Sequence, residues 1–170
     1  CIPGEDEFRG RGVSHCASCD GPLFAGQEVC VVGGGDSALD EALVLAAHAA
    51  KVTLYHRGEH LAGQEVLRAR AAAAPNIALV GGTTVETIAG ADTVTGVHLR
   101  DAAGERRLAP VTGVFVYIGL DPNTAFLQGV LALDNAGHVE TDVMMQSSVA
   151  GIFAAGDIRP VEATLVGVEG

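Results

Sequence analysis

Two cysteines separated by two residues, Cys16-Ala17-Ser18-Cys19, followed directly by Asp20-Gly21, carry the most specific chemistry in this chain. The gap lets both sulfurs close a small, reducible disulfide. With only four cysteines in 170 residues, a lone Cys-x-x-Cys beside an α/β pattern reads as a redox dithiol and not as part of a disulfide scaffold. In such pairs the first thiol is ordinarily the more exposed nucleophile, and the second resolves the mixed disulfide. Asp20 is placed to shuttle a proton to or from a leaving thiolate, although a turn-forming Asp-Gly is the other reading of the same dipeptide. A structural zinc site would need a second ligand pair, and Cys1 and Cys30 lack the spacing; Cys30, inside an apolar run, is expected as a core thiol.

Eleven residues beyond Cys19 the chain reads Cys30-Val31-Val32 and then Gly33-Gly34-Gly35-Asp36-Ser37-Ala38. Gly33 permits a tight strand-to-helix turn, Gly35 lets the backbone approach a pyrophosphate, and Ala38 lets the helix pack on the strand. An apolar strand before the turn and an apolar-faced helix after it favour dinucleotide binding over an ordinary glycine-rich turn. At the end of the next strand stand His56 and Arg57, where an NAD site would carry Asp or Glu; a basic pair suits a 2′-phosphate and favours NADPH. The run His56-Arg57-Gly58-Glu59-His60 also matches an inverted zinc-protease pattern. Ligation there requires both histidines on one helical face, whereas His56 ends a strand and Gly58 weakens a helix, so no metal is expected.

The elements that must position these groups follow from hydrophobic period and turn chemistry. Residues 27–32 read as an apolar strand, 37–50 as a helix, 51–55 as a second strand, 64–74 as a second helix and 77–80 as a third strand. Residues 83–88, 93–99 and 106–108 alternate as antiparallel strands with Asp101 to Gly104 as their turn, and 114–118 form an apolar run suited to a parallel sheet. The expected fold class is therefore α/β: a Rossmann-like βαβ dinucleotide-binding domain with a parallel sheet plus an antiparallel β-meander. Residues 1–14, rich in glycine and charge, read as a linker. Twenty-one acidic against ten basic side chains give a net charge of −11, which repels a phosphate backbone and argues against nucleic acid. With no apolar run of about 20 residues and no export signature, the expected setting is the cytoplasm, without a membrane. A chain that begins with Cys1 in place of Met is expected to be part of a longer one.

Taken together, Ile2-Pro3-Gly4-Glu5, Gly10 to Ser14, Cys16 to Gly21, Gly33 to Ala38, Gly113 to Gly119, Pro122-Asn123-Thr124 and Gly151 to Asp157 resemble bacterial-type, low-molecular-weight thioredoxin reductase, in order and at compatible spacing over essentially the whole chain. The resemblance implies a flow of electrons from NADPH through a bound FAD to the Cys16–Cys19 disulfide and on to thioredoxin. It implies that Cys19 faces the flavin, that Cys16 attacks the thioredoxin disulfide, and that Asp20 is the acid. Gly33, Gly34, Gly35, Asp36, Ser37 and Ala38 would line the nicotinamide dinucleotide together with His56 and Arg57. Ile118, Gly119 and Gly156 would be further cofactor contacts, and Asp157 would bond the FAD ribityl chain. The implied division is a hinge or linker at 1–9, an NAD(P)H domain carrying the dithiol at 10–118, and a partial FAD-domain segment at 119–170. Hinges near 1–8 and 119–124 would let the dithiol and the nicotinamide site take turns at one flavin face. The full-length protein is expected to be a homodimer.

Three departures qualify that implication. The family reads His-Arg-Arg and, four residues later, another Arg, but Gly58 and Ala62 stand at the second and third of those basic positions, leaving NADH an open alternative. The family's proline before the Gly-Ile-Phe stretch is Ala150, and the run after Asp157 reads as shortened. FAD would be gripped by its own Gly-x-Gly-x-x-Gly turn, absent from these 170 residues, so the chain alone is expected to hold little or no FAD. Residues 152–155 are expected as a flavin-side strand without partners, exposing apolar surface. Two alternatives stay open: a nicotinamide-nucleotide-binding or redox module without flavin turnover, and a related dithiol oxidase acting on a small molecule.

Overall fold

The computed structural model describes residues 1–119 and 121–160, and the chain divides into two compact units, Cys1–Ile118 and Gly119–Gly170. The first unit is built on a five-stranded parallel sheet. Its strands are β1 (Val13–Ser14), β2 (Glu28–Val32), β3 (Lys51–Tyr55), β4 (Ile77–Val80) and β8 (Gly113–Val116), in the spatial order β1-β8-β2-β3-β4. A separate antiparallel meander contains β5 (Thr83–Gly90), β6 (Val94–Asp101) and β7 (Arg106–Pro110). Three helices complete it: the single turn α1 (Ala17–Asp20), α2 (Asp36–Ala46) and α3 (Glu65–Ala73).

Strand period explains how the layers meet. On β2, Val29 and Val31 point to the side where Ala38, Leu39, Ala42 and Leu45 of α2 are buried, and the alternate residues Cys30 and Val32 point to the other. That second face packs on Val85, Ile88, Val97 and Leu99 of the meander, so the sheet is covered on both sides, as a parallel sheet requires. In the register, Cys30 sits between Thr53 of β3 and Val114 of β8. Helix α2 starts at Asp36, whose charge suits the positive end of the helix, and stops four residues earlier than the alanine-rich run suggests. The amides of His48 and Ala49 turn back to the Leu45 carbonyl at 2.9 and 2.8 Å. Helix α3 ends two residues before Pro75. The turn at 101–104 forms as expected: Gly104 has φ +84° and the Glu105 amide donates to Asp101 Oδ1 at 2.9 Å.

The first residues do not hang free as a linker. Ile2 and Phe8 belong to the core between sheet and meander, and the Ile88 amide donates to the Pro3 carbonyl at 2.9 Å. Val13 and Ser14 form β1, a strand absent from the sequence reading, which pairs with Val114 and Phe115 of β8. Period-2 patterning cannot reveal a two-residue strand whose partner lies a hundred residues away.

Among its described residues the second unit holds two 3-10 turns (Ala125–Leu127 and Gly156–Ile158) and isolated bridges at Gln128↔Leu131, Leu133↔Val139, Thr141↔Ser147 and Gln146↔Phe153, around the fully buried Val139. Residues 152–155 do not form the expected strand: Phe153 makes a single bridge and, like Val143 and Met144, stays exposed. The reading of a shortened run after Asp157 falls in part on residues 161–170, outside those described. No helix among the described residues is long and apolar enough to cross a membrane.

Phe115 is the largest fully buried side chain and meets Phe24 edge to face at 5.3 Å between centroids. Gly113 gives that ring room, since a Cβ there would lie 2.6 Å from Phe24. Phe115→Ala is expected to destabilise the first unit by about 3–5 kcal/mol, read from the midpoint of urea unfolding.

Candidate active site: a dithiol beside a glycine turn

The dithiol occupies α1. Cys16 has an extended backbone (φ −146°, ψ 99°), and its sulfur caps the turn by accepting from the Cys19 amide at 3.2 Å. Cys16 and Cys19 are disulfide-bonded, with Cα atoms 5.3 Å apart. Exposure runs opposite to the expectation for the first thiol: Cys19 is exposed and Cys16 half-buried. The capping role explains this, because the cap residue sits at the base of the turn, where the Cys16 amide also donates to Ser14 Oγ at 3.1 Å. Asp20 closes α1 with a half-buried side chain, next to the sulfur of Cys19 in sequence. Cys30 is fully buried, its thiol pushed up to about 12 by burial, so it is a core group and not a nucleophile.

The glycine turn is shaped by collisions it avoids. Gly33 has φ +144°, and a Cβ there would strike the Tyr117 carbonyl oxygen. Its own amide donates to the Tyr55 carbonyl at 3.0 Å, anchoring the turn to β3. The Gly34 carbonyl accepts from the amides of Ala62 and Gly63 at 2.9 and 3.2 Å. Gly35 caps α2 without any side-chain cap, and a Cβ placed on it would meet no atom within 4 Å. The N-terminus of an 11-residue helix, uncapped by any side chain and with open space at Gly35, lies at the carboxyl end of the sheet, a setting that suits a dinucleotide pyrophosphate, while Gly63 packs close to the Asp36 amide. Ala38 is fully buried beneath the turn, and Ser37 is exposed.

Two of the expected contacts have other engagements. Asp36 Oδ1 accepts from the Gln64 amide at 2.7 Å and Oδ2 from Gln64 Nε2 at 2.9 Å, which holds this carboxyl below the usual range. Asp36 therefore braces the 57–64 loop against the turn. His56 is buried against Gly34 and Gly81, where added Cβ atoms would come within 3.1 and 3.0 Å of it. Burial, with His60 nearby, holds its imidazole below the ordinary value of 6.5, so it is neutral at physiological pH. The expected basic pair reduces to one exposed cation, Arg57. Residues 56–60 form no helix, so His56 and His60 share no helical face.

Dithiol and turn lie in one unit and share a residue. Tyr117 packs its carbonyl on Gly33, while its hydroxyl accepts from the Ala17 amide at 3.1 Å. Glu41 of α2 accepts from the same amide through Oε2 at 2.8 Å. Burial, and then Glu41, hold the Tyr117 phenol well above its ordinary range. On the other side His15 Nε2 lies 2.8 Å from Glu5 Oε1, while Glu5 Oε2 accepts from the Ile2 amide at 2.8 Å. Burial pushes the Glu5 carboxyl up, but these bonds outweigh it and hold it below its usual range. Sequence reasoning passed over Glu41, Tyr117, Gln64 and Glu5. The one visible signal was Glu41, a carboxylate between Ala38 and Leu45 on the apolar stripe of α2. Ile118 is exposed at the end of the first unit. Gly119, Gly156 and Asp157 lie in the second, with Asp157 exposed in a 3-10 turn (Gly156–Ile158).

The pyridine nucleotide-disulphide oxidoreductase pattern matches residues 1–168. The chain belongs to that family. Among its curated relatives within the family, thioredoxin reductase of Treponema pallidum is 46% identical over 159 residues, covering 93% of this chain and 52% of the relative. Thioredoxin reductase of Listeria monocytogenes is 44% identical over 158 residues, covering 92% of this chain and 50% of that protein. Of solved structures, Lactococcus lactis thioredoxin reductase superposes with a TM-score of 0.88 at 40% identity, over 93% of this chain and 53% of that one. The chain thus spans about half the length of the thioredoxin reductases it matches.

The geometry separates the two outer glycines of this pyridine nucleotide-disulphide oxidoreductase motif. Gly33→Ala is expected to cost about 2 kcal/mol or more through strain and collision. Gly35→Ala, at φ −91° and in open space, should fold within about 1 kcal/mol of the parent, as checked by thermal unfolding.

Proposed function

We propose that this chain is the nicotinamide-nucleotide and dithiol portion of a thioredoxin reductase, with residues 10–118 as the NAD(P)H domain and 119–170 contributing to an FAD domain. The observation that carries this is the placement of a Cys-x-x-Cys disulfide and an open glycine turn in one unit, joined through Tyr117. When bound, FAD supplies the two-electron relay between nicotinamide and disulfide. The α2 amides and Arg57 bind and orient the nucleotide. Once the disulfide is reduced, the Cys16 thiolate attacks the disulfide of thioredoxin or a similar protein, forming a mixed disulfide. Cys19 then displaces the partner's sulfur, re-forming Cys16–Cys19 and releasing a thioredoxin dithiol, with Asp20 moving the proton of the leaving thiolate. The exposure of Cys19 favours a second reading, in which Cys19 attacks and Cys16 resolves.

Trapping decides between them. The chain carrying Cys19→Ser, chemically reduced and mixed with thioredoxin disulfide, should accumulate a covalent adduct on gels run without reductant, whereas Cys16→Ser should not. The reverse pattern establishes the second reading, and no adduct with either variant refutes thioredoxin as partner.

NADPH should bind more tightly than NADH, but by the margin of one charged contact, because only Arg57 keeps a cation at this position. Calorimetric titration should show Arg57→Ala lowering NADPH affinity about ten- to a hundredfold, the worth of one charge-assisted bond, with NADH unchanged. NADH binding as tightly as NADPH to the parent would sink this preference.

A further inference from the structure

Beneath the disulfide lies a carboxylate–phenol pair that the electron path above does not use. Glu41 Oε2 and the Tyr117 hydroxyl both accept from the Ala17 amide, the nitrogen bonded directly to the carbonyl carbon of Cys16. The phenol oxygen and the carboxylate thus converge on one amide, close enough for the Glu41 charge to act on the phenol. We propose that Glu41 and Tyr117 are positioning residues for the dithiol: the carboxylate fixes the first turn of α1 and places a negative charge under Cys16 that disfavours the reduced thiolate, and the phenol tempers that charge. The inference rests on the reading of Cys16 and Cys19 as a cycling pair. It makes the disulfide a harder bond to reduce and the dithiol a stronger reductant, which suits a donor to another protein's disulfide.

The surroundings leave this charge unopposed on that side. Asp20, on α1 itself, adds a second negative charge that also acts on Tyr117. His48, two residues beyond α2, packs on Gly21, where an added Cβ would lie 3.3 Å from its ring. His15, the neighbour of Cys16, is paired with Glu5. No Lys or Arg donates to Glu41 in a hydrogen bond or ion pair among the described residues.

The test is an equilibrium requiring neither flavin, nucleotide nor thioredoxin, so its failure is separable from failure of the proposed function. The full chain is incubated in dithiothreitol buffers of graded oxidation. At a pH above the ordinary thiol pKa of about 8.5, two electrons and one proton pass from dithiothreitol to the Cys16–Cys19 bond, giving the Cys16 thiolate and the Cys19 thiol, the second proton goes to the buffer, dithiothreitol closes to its cyclic disulfide, and the reduced fraction is read by thiol alkylation and mass spectrometry. Glu41→Gln keeps an acceptor for the Ala17 amide but removes the charge, and should move the equilibrium about tenfold toward the dithiol, or about 30 mV. Tyr117→Phe leaves the carboxylate untempered and should move it about threefold toward the disulfide. A purely structural role would displace both variants in the same direction. A change below twofold in Glu41→Gln, or any pattern other than these opposite signs, overturns the proposal. Should Glu41→Gln fail to fold, the sign of the Tyr117→Phe shift decides alone.

Discussion

No side chain fits at position 33, because the carbonyl oxygen of Tyr117 stands where a Cβ would be. This approach is the constraint around which the first unit is arranged. It presses the turn leaving β2 against the end of β8, and so fixes where α2 begins and which way its opening amides face. The residue that imposes the constraint also sends its hydroxyl to the helix bearing the disulfide. Backbone and side chain of one tyrosine thus set the spacing between the two chemistries of the molecule.

Helix α2 serves both ends of that arrangement. Its N-terminus, left without a side-chain cap, has the partial positive charge that suits phosphate. One and a half turns further on, Glu41 breaks the apolar stripe to reach the amide after Cys16. The cost of placing a carboxylate beside buried alanines and leucines is offset by the amide that donates to it, consistent with the rule that buried charge persists only where it is partnered. Asp36 at the start of the same helix is engaged by Gln64, which keeps the loop after β3 folded against the glycine turn.

What could be read from the residues was what is local in the chain. The continuous apolar run Val29, Cys30, Val31 and Val32 foretold a strand, and the offsets of Gly33, Gly35 and Ala38 foretold the turn. What could not be read were partnerships across distance. Gln64 meets Asp36 from 28 residues away, and Ala17 meets Tyr117 from 100. His56 looked like half of a basic pair until its ring was found buried against two glycine backbones, a packing no spacing rule encodes. The exposure of Cys19 over Cys16 follows from which of the two caps a four-residue helix, and that is settled by three-dimensional contacts with Ser14 and β1. Residues 152–155 have strand-like composition, but a strand needs an edge to pair with, and Phe153 has one bridge.

The bond between Glu5 and His15 has a mechanical meaning. Glu5 also holds the Ile2 amide, and the Pro3 carbonyl holds Ile88, so residues 2–9 are tied both to the meander and to the neighbour of Cys16. A pull on any part of that stretch is therefore shared between the meander and the residue beside Cys16.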